Sequence, residues 1–195
     1  MKAPDWRKCT EPEMWRYVAR HLEGHGIRSV LVGGAVVAIY TEGLYRSGDL
    51  DIITDGLDRH RLPEVLAEIG FLPGKSRYFK HPDCPHLFLE FPHGPVEIDD
   101  EHPITPDEIQ VEGRILRLLS PADCVKDRLA SYIHWQSFDC FEQALLVCHR
   151  QSVRVDLKSV SVWCQKEGAS EVFGLLAERL GVDSSTYDSK PKPPA

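Results

Sequence analysis

No apolar run in this 195-residue chain approaches the roughly 20 residues that a membrane-spanning helix needs, so a helical membrane protein is excluded. Positive charge is also short. Lys and Arg number 23 against 30 Asp and Glu, a net charge of -7, which argues against broad DNA or RNA binding because that affinity comes from neutralising many phosphates; a local basic patch stays open. The six cysteines, Cys9, Cys84, Cys124, Cys140, Cys148 and Cys164, form no C-x-x-C pair, and no apolar N-terminal stretch leads to a cleavage site. Disulfides and secretion are therefore not expected, and the composition reads as a cytoplasmic protein with reduced thiols. No internal repeat is visible. A hydrophobic content of 42% suffices for one good core, or for a catalytic domain with a helical appendage.

The most informative stretch runs from Val32 to Thr54, VGGAVVAIYTEGLYRSGDLDIIT. Ser29 to Val32 before it is short and Val-rich, a buried strand that the Gly33-Gly34 pair ends. Residues without Cβ let backbone N–H groups approach a phosphate, and Ala35 to Thr41 reads as a short helix whose N-terminus faces the same anion. Asp49-Leu50-Asp51-Ile52-Ile53 then alternates acid and apolar, which in a strand puts both carboxylates on one face. Like charges side by side are costly without a cation between them. Mg²⁺, a hard ion held by one or two carboxylates plus substrate phosphates, fits that need. A strand edge with two solvated aspartates and a plain glycine turn is the alternative.

Gly33-Gly34 followed by Arg46-Ser47-Gly48-Asp49-Leu50-Asp51 resembles the signature of the polymerase-β-type nucleotidyltransferase superfamily, GG and then R-S/T-x-D-x-D. Within it, the pattern is similar to the minimal, AbiEii-type toxin branch. The resemblance is close from Gly33 to Asp51, looser from Ser29 to about Cys148, and adds little over the last forty-odd residues. It implies an α/β (α+β) fold, with a small mixed sheet followed by a helical lobe, and transfer of a nucleoside monophosphate from an NTP to a hydroxyl on an RNA end, a protein or a small molecule. It also implies Mg²⁺ or Mn²⁺ on Asp49, Asp51 and a third acid, Glu90, in the later strand Leu89-Glu90-Phe91. Gly33, Gly34, Arg46 and Ser47 become nucleotide-binding residues, with Lys126 or Arg128 reaching the nucleotide from the first helix after the sheet. A toxin–antitoxin or defence setting with a partner protein follows from the same branch. Two departures matter: Gly-Gly stands where many active members have Gly-Ser, and Glu90 stands outside any second D-x-D. They leave open a catalytically silent nucleotide-binding or antitoxin-like protein of the same fold.

The rest of the chain divides into a sheet domain over residues 1–119, a helical lobe over 120–181 and a tail, 182–195, expected to be mobile. Thr10-Glu11-Pro12-Glu13 is a capping box opening a helix to about Glu23, and Leu62, Val65, Leu66 and Ile69 write another, closed by Gly70. Tyr78-Phe79 and Leu87-Phe88-Leu89 flank a proline-bounded loop as a hairpin. That loop carries His81, Cys84 and His86, read as a surface loop against a weaker zinc alternative of unusual spacing. His93 reads as a solvent-facing turn residue, with acid–base work as the alternative. Glu90 lies in an apolar frame and needs a cation or a proton there, whereas Glu97, followed by Asp99, Asp100 and Glu101, reads as a solvated face and a weaker third ligand. Ile109 to Leu116 forms a second hairpin turning at Glu112-Gly113. Helices are expected from Ser120-Pro121, with Val125, Leu129, Tyr132 and Ile133 buried, through Phe138 to Cys148, and over Leu157 to Lys166 and Ser170 to Leu180. Lys126 and Arg128 fall off the buried stripe, so the alternative for them is a solvated or i,i+3 or i,i+4 pairing role. Cys140 and Cys148 read as core thiols.

Overall fold

A computed structural model describes residues 2–75, 77–93 and 104–187, which fall into two compact units, one up to Ser120 and one from Pro121 onward. The acidic run at Glu97 to Glu101 and the last eight tail residues lie outside the described residues.

The first unit opens with α1, Glu11–Gly24. Its first turn is closed by the expected box: the Thr10 N–H and hydroxyl both donate to Glu13, at 2.9 and 2.8 Å. Met14, Trp15, Val18, Ala19 and Leu22 recur on one face and are buried. Next come β1 (Ser29–Val32), α2 (Gly34–Tyr40) and β2 (Asp49–Thr54). A 3-10 turn at Gly56–Arg61 leads into α3 (Leu62–Ala67). β3 (Leu72–Pro73), β4 (Tyr78–Lys80), β5 (Phe88–Glu90), β6 (Asp107–Val111) and β7 (Arg114–Leu118) complete the unit.

Among the described residues the strands form one mixed sheet in the order β3-β4-β5-β2-β1-β7-β6. β1 runs antiparallel to β2 and parallel to β7, and β2 runs parallel to β5. Leu31, Leu50, Ile52 and Leu89 are fully buried along the middle strands, which the alternation predicted: one face of β2 is apolar and the other carries Asp49 and Asp51. Both hairpins form. Glu112 and Gly113 at the tip of β6–β7 take positive φ of 45° and 77°, the pair of left-handed residues a two-residue turn requires.

The loop between β4 and β5 follows the surface reading at Pro82, Asp83, Pro85 and His86, which are exposed, and departs from it at three residues. His81, Cys84 and Leu87 are buried, because Trp6 from the N-terminal segment stacks on the His81 ring at 4.1 Å and Phe71 meets its edge at 5.4 Å. His86 is exposed and its Nε2 lies 2.8 Å from the Cys9 carbonyl; among the described residues His81, Cys84 and His86 do not converge as a metal group. His93 is exposed.

The second unit packs α4 (Pro121–Trp135), α5 (Phe138–Arg150), α6 (Leu157–Lys166) and α7 (Ser170–Leu180), with a 3-10 turn at Ser184–Tyr187. Val125, Leu129, Phe141, Leu145, Val160, Trp163, Phe173 and Leu176 are buried. Tyr132 and Ile133 are only half-buried, while Trp135 and Phe138 are exposed at the α4–α5 corner. Gly181 takes the left-handed conformation that ends α7. All six thiols are free and buried; burial pushes those of Cys9, Cys148 and Cys164 up to about 12, so they are core residues and not nucleophiles. No helix among the described residues is long and apolar enough to cross a membrane.

Candidate active site

Strand register assembles the acids. Parallel pairing sets Asp49 opposite Phe88 and Asp51 opposite Glu90, so three carboxylates meet on one face at the middle of the sheet. Each has an oxygen within 4.8 Å of the others. Asp49 and Asp51 are half-buried, and Glu90 is buried. Such a group repels itself unless charge is supplied.

Part of the compensation comes from the protein. The Ser47 hydroxyl donates to Asp49 Oδ1 at 2.9 Å and fixes that carboxylate. Arg77 Nε donates to Glu90 Oε1 in an ion pair whose acid is buried. Ser47 is itself held: its N–H donates to Glu11 Oε1 at 2.9 Å, and the same oxygen accepts from Arg46 Nε at 3.0 Å. Glu11 is almost fully buried at the start of α1. The loop that delivers the signature arginine and serine is therefore tied to a helix some 35 residues earlier.

Gly33 and Gly34 pack against this group. Gly33 sits at φ 71°, ψ -155°, and a Cβ there would collide with Asp51 Oδ2. A Cβ on Gly34 would stand 2.8 Å from Ser47 Oγ and 3.3 Å from the Tyr45 hydroxyl. The glycines thus have a steric role toward Asp51 and Ser47, beyond the phosphate approach inferred from the sequence.

Of the sequence-predicted residues, Gly33, Gly34, Arg46, Ser47, Asp49, Asp51 and Glu90 come together in the first unit. Lys126 and Arg128 belong to the second unit, where their own neighbours hold them. Lys126 Nζ lies 3.1 Å from Asp123, the i,i+3 pairing that was the alternative reading. Arg128 is half-buried, bonds Asp127 Oδ2 through Nη2 at 2.6 Å and reaches Gln143 Oε1 at 3.4 Å. Glu97 lies outside the described residues. Glu11 and Arg77 were not anticipated: Glu11 was read only as part of a capping segment, and Arg77 becomes visible only once the hairpin register sets Tyr78 opposite Glu90.

The donor set suits a hard divalent cation: three carboxylates supply oxygen ligands at one point, which is the chemistry of Mg²⁺ or Mn²⁺ and not of a soft metal.

Comparison with solved structures gives the fold. An antigenic nucleotidyltransferase-like protein from Paracoccidioides brasiliensis superposes with a TM-score of 0.61 at 16% identity, over 91% of each chain. The fold is nucleotidyltransferase-like. The antibiotic-resistance factor ANT(2'')-Ia in solution matches at TM-score 0.47 and 15% identity, over 88% of this chain and 90% of its own. Its crystal form with adenylyl-2''-tobramycin matches at 0.46 and 16%, over 86% and 97%. No protein-family model and no curated protein matches the sequence.

Proposed function

We propose that this protein is a divalent-metal-dependent nucleotidyltransferase that moves a nucleoside monophosphate from an NTP to a hydroxyl acceptor. The observation that carries the reading is the register placing Asp49, Asp51 and Glu90 together beside the Gly33-Gly34 turn. The nucleotidyltransferase-like fold supports it. Asp49, Asp51 and Glu90 hold Mg²⁺ or Mn²⁺, which when bound neutralises the transferring phosphoryl group and lowers the pKa of the acceptor hydroxyl. Gly33 and Gly34 seat the NTP phosphates with Arg46 beside them. Ser47 keeps Asp49 oriented, and Glu11 keeps Ser47 in place. As the acceptor oxygen bonds the α-phosphorus and the bond to the β-phosphate oxygen breaks, a carboxylate of the cluster takes the hydroxyl proton and pyrophosphate leaves. An RNA end, a protein side chain or a small molecule each offers such a hydroxyl. The signature favours the AbiEii-type branch, and with it a cytoplasmic toxin–antitoxin or defence setting and a partner protein.

One observation favours a second reading. Arg77 already supplies Glu90 with positive charge, as a catalytically silent nucleotide-binding or antitoxin-like member would need in place of a metal. Calorimetry tests the site itself: Mg²⁺ should bind weakly alone and more tightly with NTP, because two or three carboxylates leave a six-coordinate ion short of ligands. The double variant Asp49→Asn/Asp51→Asn should lose both interactions. Unchanged metal and NTP binding in that variant would move the site elsewhere.

A further inference from the structure

A second group of ligating side chains lies outside the acid cluster. His21, in the last turn of α1, and His25, four residues on at its C-cap, meet Glu68, which follows α3. Their ring centroids are 4.5 Å apart, and one ligating atom from each of the three residues falls within 4.8 Å of the others. The two imidazoles are half-buried and Glu68 is exposed.

The hydrogen bonding fixes which atom of His25 faces the group. His25 Nδ1 lies 3.0 Å from the His21 carbonyl, where it donates its proton, so Nε2 is the atom turned to the Glu68 carboxylate, at 3.1 Å. At that distance a proton or a metal cation lies between the nitrogen and the oxygen. A ring nitrogen whose partner N–H is anchored on a backbone carbonyl is the usual arrangement of a metal-binding histidine. His21 Nε2 stands 3.5 Å from the same Glu68 oxygen. In a tetrahedral site with metal–ligand bonds of about 2.0–2.1 Å, neighbouring ligand atoms are about 3.3 Å apart, and these two separations bracket that value. The carbonyl end of α1 adds partial negative charge at the same point. The cation beside it, Arg61, whose Nη2 donates to the His25 carbonyl at 2.8 Å, is paired with Asp58 at 2.8 Å.

We propose that His21, His25 and Glu68 form a zinc site that ties the end of α1 to the turn after α3. Two imidazole nitrogens and one carboxylate suit Zn²⁺ and not Mg²⁺, and three protein ligands leave a position for water. His25 and Glu68 are already turned to each other. His21 Nε2 also lies 2.8 Å from the Val65 carbonyl, and binding the ion exchanges that hydrogen bond for a ligand bond. Loss of His25 or Glu68 therefore weakens zinc more than loss of His21.

The test is calorimetric titration of the full chain with Zn²⁺ alone, in reducing buffer with excess Mg²⁺, alongside melting with and without zinc. Expected are one zinc per chain, a melting point raised by about 5 °C or more at roughly 100 times the Kd, and affinity at least about tenfold weaker in His25→Gln and Glu68→Gln. Glu68→Gln changes an exposed side chain and keeps the fold, which melting without zinc verifies. Asp49→Asn/Asp51→Asn should bind this zinc as the parent does. No zinc binding by the parent chain, affinity in both variants equal to the parent's, or loss of zinc only in the aspartate variant would overturn the proposal.

Discussion

A Cβ on Gly34 would stand 2.8 Å from Ser47 Oγ, the group that orients Asp49, so this residue couples the turn to the acid cluster. Gly34→Val should overpack that contact, costing about 1–3 kcal/mol, and should weaken NTP binding in Mg²⁺ by at least about tenfold. Melting and nucleotide titration on the same preparation check it; a variant that loses stability but binds NTP normally would confine Gly34 to packing. Glu90 permits a cleaner substitution, because Gln preserves its volume and its contact with Arg77. Glu90→Gln should keep the fold and most NTP affinity while kcat falls by about 10²-fold, the scale of a positioned proton acceptor. Full kcat in a well-folded Glu90→Gln would remove Glu90 from the chemistry. Asp49, Asp51 and Glu90 were legible in the sequence as acids in apolar frames. Glu11 and Arg77 were not, because their partners are 35 and 13 residues away and no local spacing announces them.

At the scale of elements, period-two alternation made β2 readable, and the capping box did the same for α1. The two-residue strand Leu72–Pro73 carries no such pattern, and its proline counts against a strand. The β4–β5 loop was read as surface because prolines mark turns, and its prolines are exposed, yet tertiary packing buries His81: Trp6 covers it, and Gly70, at φ 86°, leaves room for the ring where a Cβ would sit 2.6 Å from Nε2. Burial holds His81 below its ordinary value of 6.5, with Asp83 opposing. The folded state then binds this proton more weakly than the unfolded chain. Its contribution is complete above about pH 6.5 and is lost as the pH falls through the lower folded value, with a slope of at most about 1.4 kcal/mol per pH unit. Urea unfolding between about pH 7 and pH 5 should show a shallower decline in His81→Gln than in the parent. Parallel declines would mean that this ring titrates alike in both states.

For the whole molecule, the strand order was beyond local reading. Nothing near Glu90 in sequence specifies that β5 lies beside β2 in parallel, yet that pairing makes the acid cluster. The nucleotidyltransferase-like fold is shared over 91% of each chain at 16% identity, so the architecture tolerates replacement of most residues, and the chemistry must be judged from the site. The measurement that bears most directly on it is incubation of the purified protein with each α-labelled NTP, Mg²⁺ and total RNA or cell lysate, for the parent chain and Asp49→Asn/Asp51→Asn. The account predicts that label from at least one NTP moves onto an acceptor with the parent chain and that transfer is lost in the double variant. Transfer that survives in the double variant, or NTP binding by the parent with no label moved from any of the nucleotides, would contradict it.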